Sequence, residues 1–170
     1  GTFLQSILPQ LAADFPSVSI RTEINSHLEL TRSLIAGRLD IAVVLDPPTL
    51  AELDTVRIGK IELVLVCDKP DVKISEAQTR GYVFVDWGTA FNLKHAKLFK
   101  SPVAPILHTE QSQIALEFLI TYGGMAFLPR ALIASYLEDG SLHLVSGSQP
   151  ASRNVYAVIS KSASRKSVVP

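Results

Sequence analysis

Apolar positions recur along the chain with two periods, and the switching between them predicts a mixed α/β protein. Phe3, Leu4, Ile7, Leu8 and Leu11 follow helical spacing and predict an amphipathic helix over residues 3 to 14. Pro9 removes one backbone donor there and is expected to kink it. After Phe15-Pro16-Ser17-Val18, the alternation of Ile20, Thr22 and Ile24 predicts a strand over 18 to 24. Leu28, Leu34 and Ile35 supply the apolar face of a second helix, which Gly37 ends. Asp40 then stands at the entrance of a strand over 41 to 45. That strand is apolar on both faces and so is expected inside a parallel sheet covered by helices. The run Glu62-Leu63-Val64-Leu65-Val66-Cys67 predicts another strand, and Asp68-Lys69-Pro70-Asp71 breaks the pattern as a crossover.

A second βα series follows. Strands are predicted at 82 to 86, 105 to 108 and 125 to 128, with helices near 90 to 99, 112 to 122 and 129 to 138. Ile114, Phe118, Leu119 and Tyr122 fall on one face of the middle helix, and Gly123 is expected to stop it in the left-handed conformation. Pro129 suits a helix start, where its missing N–H costs nothing. Asp139-Gly140 marks a turn, Leu142 to Val145 a short strand, and Ser146-Gly147-Ser148-Gln149-Pro150 a second polar connection.

With 170 residues, 47% of them hydrophobic, there is material for a core and room for two small lobes. Sixteen basic residues balance sixteen acidic ones. A module that grips nucleic acid by itself usually carries a basic face, so this stretch is expected not to touch DNA directly. One cysteine, Cys67, excludes an internal disulfide and suits a reducing cytoplasm. No apolar run reaches transmembrane length, and no signal peptide is visible.

The order helix, "FPSVSI" strand, helix and "GRLDIAVV" strand, ending in Tyr122-Gly123-Gly124-Met125-Ala126-Phe127-Leu128-Pro129, resembles the effector-binding domain of LysR-type transcriptional regulators over nearly the whole chain. The resemblance implies two Rossmann-like lobes joined by two crossover strands, a type II periplasmic-binding-protein-like α/β fold. Lobe I would hold residues 1–68, lobe II 69–146, and 147–170 would return to lobe I with a strand at 154 to 159 that the pattern alone does not assign. Members of the family also carry a strand before the first helix and a winged helix-turn-helix before that; both are expected to be absent from this chain, whose tail from Lys161 is polar. The family closes around small molecules, so ligand contacts are expected in the cleft where loops of the facing lobes converge, at helix starts with free amides.

Three loops carry the candidate effector-binding residues. In Asn25-Ser26-His27, Ser26 suits an N-cap, and its hydroxyl with neighbouring amides could equally hold a carboxylate. In Asp86-Trp87-Gly88-Thr89-Ala90-Phe91, Gly88 allows close backbone approach, Thr89 offers a hydroxyl at a helix start, and Trp87 gives a flat apolar wall with one donor or simply covers the core. The run Trp87-Gly88-x-x-Phe91-x-x-x-His95 resembles a LysR branch that includes a regulator of flagellar genes. In His108-Thr109-Glu110-Gln111-Ser112, Thr109 suits an N-cap without a capping box and leaves first-turn amides for a ligand, whereas His108 reads as a solvated loop residue or an anion donor. The strand end at Phe127 and Leu128 could line the cleft. The double glycine is structural, since no phosphate-loop pattern surrounds it.

Catalysis has little support. His27, His95, His108 and His143 have no metal-ligand spacing, no nucleophile elbow is present, and Cys67 reads as a core thiol. No catalytic residue, metal or cofactor is assigned. The resemblance implies a cytoplasmic sensor of a small polar effector, such as a carboxylate or an aromatic metabolite. It would work as a homodimer or tetramer, with DNA contacted only through the missing N-terminal domain and no membrane involved. Family dimers place the first helix antiparallel to the 112–122 helix of the partner, where Phe3, Ile7 and Gln10 would meet Gln113, Glu117 and Ile120. A free-standing solute-binding protein of the same fold is the alternative, and a small-molecule enzyme a further one.

Overall fold

The computed structural model describes residues 2–166; residues 1 and 167–170, the latter part of the expected return to lobe I, lie outside the described residues. The chain divides into two compact units. Among the described residues, one comprises Ile61–Arg153 with Thr2 and Phe3, and the other comprises Leu4–Lys60 with the stretch from Asn154 onward. The division falls inside two long strands, β2 (Leu53–Cys67) and β7 (Ala151–Ser160).

In the unit built on Ile61–Arg153, the second half of β2 is buried from Leu63 to Cys67. A run this uniformly apolar must be covered on both faces. It pairs antiparallel with β5 (Met125–Pro129), Leu63 opposite Pro129 and Cys67 opposite Met125, and with β6 (His143–Leu144). A second, parallel pair joins β3 (Val83–Val85) to β4 (Leu107–Thr109), and a parallel bridge from Tyr82 to Met125 ties it to β5. A 3₁₀ turn (Ile74–Glu76), α3 (Ala77–Arg80), α4 (Thr89–His95), α5 (Ser112–Thr121) and α6 (Arg130–Glu138) complete the unit.

The inward face of α5 is Ser112, Ala115, Leu116 and Leu119, not the expected Ile114, Phe118, Leu119 and Tyr122. Ile114 and Tyr122 are 47% and 74% exposed. Leu119 belongs to both faces, and the small Ser112 and Ala115 let the helix lie close to the strands. Gly123 takes φ +100° and closes the helix, its N–H reaching the Phe118 carbonyl at 3.3 Å. Gly124 takes φ +123°, and a Cβ there would stand 2.8 Å from the Gly81 carbonyl oxygen, so glycine is required where β5 meets β3. The Gly124 N–H donates to Asp68 Oδ1 at 2.8 Å.

The other unit contains α1 (Thr2–Asp14) from Leu4 onward, α2 (His27–Ile35), β1 (Ile41–Val44), the first half of β2, most of β7 and α7 (Lys161–Lys166). Its core joins Leu34, Ala42, Leu53 and Val158, with Leu30, Leu39 and Val44 packed against them. Ser26 caps α2, accepting from the Glu29 N–H at 3.3 Å. Gly37 follows α2 at φ +72°, as its place predicts.

Three expectations fail here for one reason. Residues 18 to 24 form no strand, and Val18 and Ile24 are 59% and 72% exposed. No described strand lies beside them to share a ladder, and an alternating pattern cannot hold a strand by itself. β1 therefore pairs only with β7 among the described strands, and antiparallel, Ile41 opposite Ile159. It does not sit inside a covered parallel sheet, and Ile41 is exposed. On α2, Leu28 and Ile35 stay exposed while Leu34 and Leu30 reach the core. The start of β2, Leu53-Asp54-Thr55-Val56-Arg57, was not predicted: only Leu53 is buried there, and Val56 is exposed like its polar neighbours. No described helix is long and apolar enough to cross a membrane.

Candidate functional site

β3 ends where the Asp86-Trp87-Gly88-Thr89 loop begins. The Asp86 N–H continues the parallel ladder by donating to the Thr109 carbonyl at 2.9 Å, which sets the loops after β3 and β4 side by side. Asp86 Oδ1 accepts from the Gly88 N–H at 2.8 Å and from Asn92 Nδ2 at 2.9 Å. One carboxylate thus shapes the turn and grips the first turn of α4. Gly88, at φ +88°, is the residue before that helix. Thr89 opens the helix and is exposed.

Trp87 is buried, and its Nε1–H donates to the Phe127 carbonyl at 3.0 Å. The indole is a wall with its donor already committed, and it ties this loop to β5. Phe127, 3% exposed, packs edge-to-face on Phe91 at 5.3 Å. Thr109 does not cap α5. Gln111 precedes that helix without a side-chain cap, and the Thr109 hydroxyl accepts the Gln111 N–H at 3.1 Å in a short turn. The chain bends at Glu110 and is extended at Gln111, so α5 starts two residues later than a cap at Thr109 requires. His108 is exposed, with its ring against Phe84 at 4.7 Å.

The third loop lies in the other unit. Asn25 and Ser26 are exposed beside the α2 start, and a His27 ring nitrogen hydrogen-bonds the Asp46 carbonyl just beyond β1. The structure therefore gathers Trp87, Gly88, Thr89, His108, Thr109 and Phe127 in one unit and Asn25, Ser26 and His27 in the other.

Sequence reasoning missed a pair beside the loop after β3, a buried tyrosine against a half-buried histidine. Tyr82 Oη and His95 Nε2 are 2.6 Å apart, and Tyr82 is 1% exposed. Tyr82, Phe84, Phe91, Phe99 and Phe127 surround the imidazole at centroid distances of 4.9 to 6.3 Å. Burial lowers the His95 pKa and raises that of the Tyr82 phenol. The repeat Phe91, His95, Phe99, four residues apart, was the available signal. The Asp86 carboxylate is engaged by Gly88 and Asn92, while His95 bonds Tyr82. Cys67 is fully buried, and desolvation raises its thiol pKa.

The family model for the LysR substrate binding domain matches residues 1–169. The HTH-type transcriptional regulator HdfR of Yersinia enterocolitica is 26% identical over 165 residues, 92% of this chain and 55% of that protein. HdfR of Yersinia pestis is 28% identical over 136 residues, 75% of this chain and 46% of that protein. The chain thus spans about half the length of the curated relatives it matches. Among solved structures, the bromide-bound regulatory domain of HypT from Salmonella typhimurium superposes with a TM-score of 0.78 at 16% identity, covering 93% of this chain and 81% of that one. DarR of Vibrio fischeri, solved in complex with DNA, gives 0.77 at 18% identity, covering 97% and 62%. Those identities speak for the fold alone, the α/β, type II periplasmic-binding-protein-like architecture of LysR regulatory domains. With the family model matching end to end, the chain belongs to the LysR substrate binding domain family.

Proposed function

We propose that this domain is the effector-sensing and oligomerisation part of a cytoplasmic LysR-type transcription regulator, and that a small polar metabolite, most simply a carboxylate, is its effector. The observation that carries the reading is the family match over residues 1–169, with relatives named as HTH-type transcriptional regulators. The effector contacts are assigned to the Asn25–His27, Trp87–Thr89 and His108–Thr109 loops and to Phe127. The chemistry of these loops supports the assignment. Gln111 gives the start of α5 no side-chain cap, and the N-terminal end of a helix attracts anions. Trp87 and Phe127 add a buried apolar wall. Differential affinity of the effector for two arrangements of the protein would shift their populations, which is how a bound metabolite reaches the DNA. DNA contact belongs to an N-terminal domain outside this chain, and assembly to a homodimer or tetramer through α1 and the exposed face of α5.

A thermal-shift and calorimetry panel of small carboxylates and aromatic acids tests the reading. A binder should raise the melting temperature, and Thr89→Ala or Thr109→Ala should weaken it about 5-fold or more, the loss of one net hydrogen bond. Equal binding by both variants, or a ligand converted to product, would count against it.

A further inference from the structure

The two ends of α4 are fastened by different chemistry. At its start, the Asp86 carboxylate holds Gly88 and Asn92, and the Trp87 indole holds the Phe127 carbonyl. At its end, the only hydrogen bond of the His95 side chain among the described residues goes to Tyr82 on the strand β3 side. We propose that the Tyr82–His95 bond is a proton-operated latch: neutral His95 holds α4, and with it the Trp87-Gly88-Thr89 loop, against β3, and protonation of His95 releases it. His95 is thereby a positioning residue for the loop assigned to the effector, and the functional meaning of the latch rests on that assignment.

The atoms dictate the direction. In the proposed latch the Tyr82 phenol is the donor and His95 Nε2 the acceptor, an assignment of the 2.6 Å contact that puts the imidazole proton on Nδ1. When Nε2 takes up a proton it becomes a donor, and two donors then face each other at 2.6 Å. The displaced Tyr82 proton needs another acceptor, and the surrounding Phe84, Phe91, Phe99 and Phe127 rings supply none. The new cation would also sit among aromatic side chains with no carboxylate in contact. From each neighbouring element, the titratable or charged groups are these: Tyr82 on the β3 side, Lys94 on α4, Lys97 and Lys100 just beyond it, and His108 on β4 across the Phe84 ring. β5 contributes Phe127 and no charge. The three lysines are exposed, and their charge opposes protonation rather than favouring it.

The test is a pH titration of this chain followed by NMR, from about pH 7.5 to about pH 5, around the ordinary histidine range. The expected result is a His95 held as the Nδ1–H tautomer at high pH. The backbone amides of Gly88, Thr89 and Asn92 should shift with the same midpoint as its ring. His95→Gln, whose amide oxygen can accept from Tyr82 without titrating, should keep those amides in the high-pH position throughout. Tyr82→Phe should raise the His95 midpoint, because the neutral imidazole loses its donor. Loop amides that ignore His95, or that still titrate in His95→Gln because His108 drives them, would overturn the latch. So would a His95 midpoint unchanged in Tyr82→Phe. No effector is used, so the latch can fail while Thr89→Ala still weakens a ligand, and the effector assignment can fail while the loop still follows His95.

Discussion

The two units of this protein start from similar sequence patterns and reach different degrees of burial. In the Ile61–Arg153 unit, every predicted strand finds a partner: β2 lies against β5 and β6, and β3 against β4. In the other unit, the alternating run from 18 to 24 finds none and remains exposed, and β1 has one described neighbour. The lesson is that an alternating pattern specifies which face a strand would bury, whereas a ladder partner decides whether there is a strand at all.

Substitutions can break or sharpen this contrast. The largest effect is expected from Leu119→Ala, which empties a fully buried position under α5 and should cost about 3 kcal/mol in urea unfolding. A cost near zero would mean that the better-paired unit is no better packed. Next comes acid. Burial holds the His95 pKa below its ordinary 6.5, so the native state binds this proton less readily than the unfolded chain. The stability this provides is present in full above about pH 6.5 and is lost as the pH falls from there through the lowered native value. Urea midpoints measured at intervals across that window should fall, and His95→Gln should remove its share of the fall. In the other unit, Ser26→Ala removes the α2 cap and should cost about 1 kcal/mol, read from the same unfolding curves. Smallest of all, Ile24→Ser, at a side chain 72% exposed, should change stability by less than about 0.5 kcal/mol. A loss rivalling that of Leu119→Ala would show that residues 18 to 24 are covered in solution.

What could be read from the sequence follows the same division. Strands at 83–85, 107–109 and 125–129 and the helices between them were legible because local pattern and final partners agree there. The face of α5 was not, since Ser112 and Ala115 carry too little apolar surface to reveal that they point inward. Nor was the first half of β2, where every residue after Leu53 up to Glu62 keeps some exposure to solvent. At the candidate site, the cap at Ser26 and the turn at Gly88 announced themselves through residue type, whereas Thr109 proved to turn the chain rather than cap a helix. The spacing of Phe91, His95 and Phe99 marks one helical face, but that this face meets Tyr82 depends on packing across 13 residues.

The path of the chain also has a consequence during synthesis. The Ile61–Arg153 stretch is continuous and can complete its own pairing as soon as it emerges. β1 must wait for the segment from Tyr156 to Ile159, the only described strand that pairs with it. At ordinary elongation rates that wait is on the order of ten seconds, long compared with the folding of a small domain. The unit begun first is therefore finished last. Until the ribosome delivers β7, the open edge of β1 and the apolar side chains around it are surfaces on which a chaperone could act.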